Sequence, residues 1–71
     1  MTNKNGLTCV ELFINGSAVI EYECNAIPRI GETLDIHIDD VQDEFQVYDV
    51  KHHISKIKDG QLNIYVQVYA K

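Results

Sequence analysis

The sequence predicts a single all-β domain, a small five-stranded antiparallel barrel, on three observations. Apolar side chains recur at every second position over long stretches, which is the period of a strand with one buried face. These alternating segments are short and are separated by Gly, Pro, Asn and Asp. The chain has 71 residues, 45% of them hydrophobic, enough for one core and too few for two domains. A sheet of this size cannot cover its own edges, and closure into a barrel removes them.

Residues 1–6, Met1-Thr2-Asn3-Lys4-Asn5-Gly6, are a polar lead and are expected to form a flexible tail, with residues 7–71 as the domain. In the first strand Val10, Leu12 and Ile14 alternate with Cys9, Glu11 and Phe13. After Asn15-Gly16, Ala18, Ile20 and Tyr22 alternate with Val19, Glu21 and Glu23, which marks a hairpin. A two-residue Asn15-Gly16 loop would set Leu12 opposite Val19 and Glu11 opposite Ile20, mixing polar and apolar side chains on both faces. A three-residue loop, Ile14-Asn15-Gly16, pairs Leu12 with Ala18, Val10 with Ile20 and Thr8 with Tyr22, so the even-numbered face becomes the core. The longer loop is the predicted one, with Glu11, Glu21 and Glu23 outside. The same parity sends Cys9 outward and Cys24 inward, which argues against a disulfide between them.

The stretch Ile27-Pro28-Arg29-Ile30-Gly31-Glu32 interrupts pairing, because Pro28 has no donor and Gly31 permits a sharp reversal. Residues 33–38 then alternate again, with Leu34, Ile36 and Ile38 on one side and Thr33, Asp35 and His37 on the other. Residues 39–44 carry four carboxylates, Asp39, Asp40, Asp43 and Glu44, and are expected to form a solvated loop. Further on, Phe45 and Val47 have one parity and Val50, His52 and Ile54 the other. A bulge near Tyr48-Asp49 reconciles the two sets in one strand. The competing reading is a short helical turn within residues 39–48, since Val41, Phe45 and Tyr48 have helical spacing and Asp39 or Asp40 could cap it. Residues 56–61 turn the chain, and Leu62, Ile64, Val66, Val68 and Ala70 form the longest alternation, expected in a central or closing strand.

The segment 27–32, followed by Phe45-Gln46-Val47-Tyr48-Asp49-Val50-Lys51-His52 and a final alternating strand, resembles a group of short SH3-like β-barrel proteins common in phages and mobile elements. The resemblance covers roughly residues 26–69 and leaves out the opening hairpin. It implies an SH3-like barrel and an accessory role, most members of the group having no assigned activity.

Composition narrows the function. Eleven Asp and Glu against six Lys and Arg give a net charge of −5, so the backbone of a nucleic acid is a disfavoured partner. No run approaches a membrane span, and no signal-peptide apolar region follows the polar lead, so a cytoplasmic, membrane-free setting with reduced thiols is expected. His37, His52 and His53 with Asp35, Asp39 and Asp40 are the one ligand-rich set. Adjacent His52 and His53 point to opposite faces of a strand, so surface histidines are expected in place of a metal site. Ser17 and Ser55 lack a nucleophile motif, the cysteines lack an activating cation, and the four glycines are isolated, so neither catalysis nor a cofactor is expected.

The remaining signal is a surface. The outward side of the last strand presents Asn63, Tyr65, Gln67 and Tyr69, with Tyr48 expected nearby. Tyrosine joins apolar area to a hydroxyl and is enriched at interfaces, so this stripe suits a protein partner. Asp39, Asp40, Asp43 and Glu44 form a second candidate surface, for a basic partner. The expected function is thus a non-enzymatic protein-interaction module, with self-association as an added source of stability. The alternative is a small barrel that binds single-stranded nucleic acid or a metal, against which Lys51, Lys56 and Lys58 gather only near the last turn.

Overall fold

A computed structural model describes residues 6–71, and the tail expected for residues 1–6 lies, Gly6 apart, outside them. Among the described residues there are five strands and no helix: β1 (Thr8–Ile14), β2 (Ser17–Cys24), β3 (Thr33–Ile38), β4 (Val41–Lys56) and β5 (Leu62–Ala70). They form one sheet in the order β2-β1-β5-β4-β3, curled into a half-barrel. β5 is central, one of the two places expected for it. The antiparallel expectation fails at one ladder, because β1 and β5 run parallel, Val10 beside Val66 and Leu12 beside Val68. Local periodicity carries no information on the direction of strands so far apart in sequence. Closure fails as well: β2 and β3 end the sheet and share no ladder.

The opening hairpin keeps the expected parity by a different device. Asn15 and Gly16 form a two-residue turn with φ of 51° and 87°, pairing Ile14 with Ser17 and Phe13 with Ala18. The register then shifts, so that Leu12 faces Ile20, Val10 faces Tyr22 and Thr8 faces Cys24. The three-residue loop and its pairs are therefore corrected. The extra residue sits in β2 as a bulge and not in the turn, and either position restores even-to-even pairing. Cys24 packs against the core, and both cysteines are free.

Residues 39–44 are not a loop, and the helical reading fails with it. Only Asp39 and Asp40 turn, with φ of 52° and 66°, a conformation Asp tolerates better than most residues. Val41 already pairs with Ile38, and Asp43 and Glu44 lie opposite Ile36 and Asp35 in a regular ladder. Alternation separates the carboxylates onto two faces, which relieves the repulsion that argued for a loop.

β4 is the spine. Its first part pairs with β3 and its second with β5, and the register shifts between Val47 and Asp49, with Tyr48 as the extra residue. The expected bulge is present, and it lets Phe45 and Val47 share the inner face with Val50. Sixteen residues would span about 50 Å if straight. The longest dimension is 43 Å, in keeping with a bent strand.

Val10, Leu12, Val47, Val66, Val68 and Ala70 are buried, and Ile14, Tyr22, Leu34, Ile36, Phe45 and Val50 pack around them. Even-numbered side chains of β1, β3 and β5 do face one interior. Ile36 and Leu34 are only half-buried, because the gap between β2 and β3 leaves that side open. The connection before β3 is fixed by a turn in which Glu32 N–H donates to Arg29 O (3.0 Å) and Gly31 N–H to Val47 O (2.9 Å).

Candidate functional site

The outer face is built where β1, β5 and β4 lie side by side. Parity points Tyr65, Gln67 and Tyr69 of β5 outward. The parallel ladder sets Cys9, Glu11 and Phe13 beside them, and the antiparallel ladder sets His53, Lys51 and Asp49 on the other flank. The bulge adds Tyr48, whose ring centroid is 6.3 Å from that of Tyr69.

Gln67 is the hub. Tyr69 OH donates to Gln67 Oε1 over 3.0 Å, and His53 Nε2 lies 2.7 Å from the same oxygen. An amide oxygen only accepts, so this contact requires the proton of His53 on Nε2. Gln67 Nε2 donates to Glu11 Oε1 over 3.0 Å, which fixes the orientation of the amide. Around this hub the rings stack: His53 on Tyr65 at 4.4 Å and 2°, and Phe13 on Tyr69 at 4.9 Å and 18°. Lys71 Nζ sits 5.1 Å from the Tyr48 ring centre, within cation–π range. The result is an aromatic and polar platform whose groups are joined by stacks and hydrogen bonds, with Tyr48 at 46% exposure as its most open ring.

Tyr48, Tyr65, Gln67 and Tyr69 are thus brought together. Asp39, Asp40, Asp43 and Glu44 are not brought to them, since Asp39 and Asp40 form the turn between β3 and β4 and Asp43 and Glu44 lie on the part of β4 that pairs with β3. They do not form one surface either: Glu44 shares the outer face with Asp35, whereas Asp43 lines an inner groove with Ile36 and Phe45. Asp35 accepts from Gln42 Nε2 at 3.0 Å and lies 3.3 Å from His37 Nε2. Those two contacts, Gln42 first, hold its carboxyl below the usual range and keep it ionised.

The histidines are dispersed. His37 is on β3, His52 borders Ile27, Pro28, Arg29 and Ile30 on the inner side, and His53 is in the outer network. Among the described residues no group of three His, Cys, Asp or Glu is placed to hold a metal ion. Nor is any helix there long and apolar enough to cross a membrane. Sequence reading placed Glu11 outside without giving it a role, and it missed Phe13, His53 and Lys71 as members of the platform. The odd parity of β1 was legible, but the parallel β1–β5 ladder that carries Glu11 and Phe13 to the tyrosines was not. Comparison with protein-family models, with curated proteins and with solved structures gives no match.

Proposed function

We propose that this chain is a non-enzymatic interaction module that docks a protein partner on the outer platform around Gln67. The observation that supports this reading is the platform itself: three outward positions of β5 and the bulged Tyr48 are joined by stacks and hydrogen bonds into one ordered patch. Rigid aromatic side chains lose little rotamer freedom on binding, so a pre-ordered patch favours association. The unpaired thiols, one on each side of the sheet, suit the reducing cytoplasm as its setting. An accessory role in a phage or mobile element is what the resemblance of residues 26–69 to SH3-like barrels implies. Binding of single-stranded nucleic acid is the weaker reading, because Phe13 and His53 already occupy a face of Tyr69 and Tyr65, and the net charge is −5.

The paired substitution Tyr65→Ala and Tyr69→Ala should retain the far-UV spectrum of a β protein, lower stability by about 1–3 kcal/mol from lost stacking and area, and abolish capture of a protein partner. Capture from the source cell's lysate by wild-type and variant baits checks this. A partner retained equally by both baits would reject the platform as the interface.

A further inference from the structure

The two strands that end the sheet, β2 and β3, face one another across an open groove. Its floor is apolar: Leu12, Ile20 and Tyr22 from one side, Leu34, Ile36 and Ile38 from the other. Burial pushes the Tyr22 hydroxyl's pKa up, as expected of a group on that floor, with Cys24 adding to the effect. Both borders are sheet edges, so each offers backbone donors and acceptors that no neighbouring strand uses. The outward positions of the same two strands carry Glu21 and Glu23 on β2 and Asp35 on β3, and neither strand contains a Lys or Arg.

From these features we infer that the groove takes an extended peptide whose side chains alternate apolar and basic, inserted as a sixth strand between β2 and β3. Such a strand places its apolar residues on the floor and its Lys or Arg between the carboxylate rows, and its backbone pairs with both edges at once. It would also close the half-barrel. Charge selects the occupant. A second copy offering its own β2 or β3 would bring Glu21, Glu23 or Asp35 against the same residues, and like charges in register oppose pairing. The only cation-capable group on these outward positions is His37, which already lies beside Asp35. This surface is distinct from the platform around Gln67 and does not depend on it.

The test uses three synthetic peptides the length of β3: one alternating Val and Lys, one alternating Val and Glu, and one with the Val and Lys residues in separate blocks. Hydrogen exchange and NMR shifts on the full chain report binding. The alternating Val-Lys peptide should bind, slow the exchange of amides in β2 and β3, and bind less tightly as salt is raised. Combined Glu21→Lys, Glu23→Lys and Asp35→Lys should weaken it by about tenfold or more with the melt retained. Tyr65→Ala should leave this binding unchanged, which separates the groove from the platform. Failure of all three peptides to bind, equal binding of the Val-Glu or block peptide, or protection mapped to the outer face would overturn the inference. So would a free protein that sediments as a dimer with both edges already protected, since a second copy would then be the occupant.

Discussion

Val66→Asp should give a chain that shows no cooperative melt and an unfolded far-UV spectrum at 25 °C. Val66 is fully buried at the middle of β5, paired with Val10 on one side and His52 on the other. A carboxylate there has no cation to meet among the buried residues, which are all apolar. Burying an unpaired charge costs several kcal/mol, and protonation to avoid it still leaves an unsatisfied polar group. A domain of this size has only about 5 kcal/mol to lose. Ile54→Asp is the control. Ile54 is of the same inner parity but lies at 69% exposure where β4 and β5 run on beyond β1, and the change there should stay within about 0.5 kcal/mol. A folded Val66→Asp protein would mean that the inner face has been assigned to the wrong side.

Gly31→Val should lower the stability measured by urea unfolding by about 1–3 kcal/mol. Gly31 has φ of 93°, a backbone conformation that a β-branched residue enters only under strain. Open space surrounds a Cβ built there, so the penalty is conformational and not steric crowding. The position matters because Gly31 N–H donates to Val47 O while Val47 N–H donates to Glu32 O, which ties the entry of β3 to the bulged part of β4. The neighbouring Ile30→Val, at 64% exposure, should fall within about 0.5 kcal/mol of wild type. Equal effects at the two sites would remove the turn from the account.

What the sequence made legible was whatever a two-residue period can express. Leu12, Val66 and Val68 are buried on the parity they share, β3 begins at Thr33 and ends at Ile38, and the clash of parity between Val47 and Val50 located the bulge at Tyr48. The period could not place the extra residue of the first hairpin. A bulge after Ala18 and a longer turn before Ser17 give the same even-to-even pairing, and only the left-handed preference of Asn15-Gly16 favoured the shorter turn. Charge density misled at residues 39–44, because a strand disperses neighbouring carboxylates over two faces. Long-range order was out of reach altogether: nothing local to Glu11 or Phe13 shows that β1 lies parallel to β5. The outer platform was therefore half visible, its β5 and Tyr48 members from parity and its β1 members not at all.

The central structural claim is that the sheet remains open between β2 and β3, and amide hydrogen exchange on the free monomer tests it most directly. Amides shared between β1, β5 and the second part of β4 should exchange slowly as one unit, while the groove-facing amides of β2 and β3 exchange quickly and show no cross-strand NMR contacts to each other. Slow exchange along both edges, together with Hα contacts between β2 and β3 in a monomer, would show a closed barrel and contradict the account.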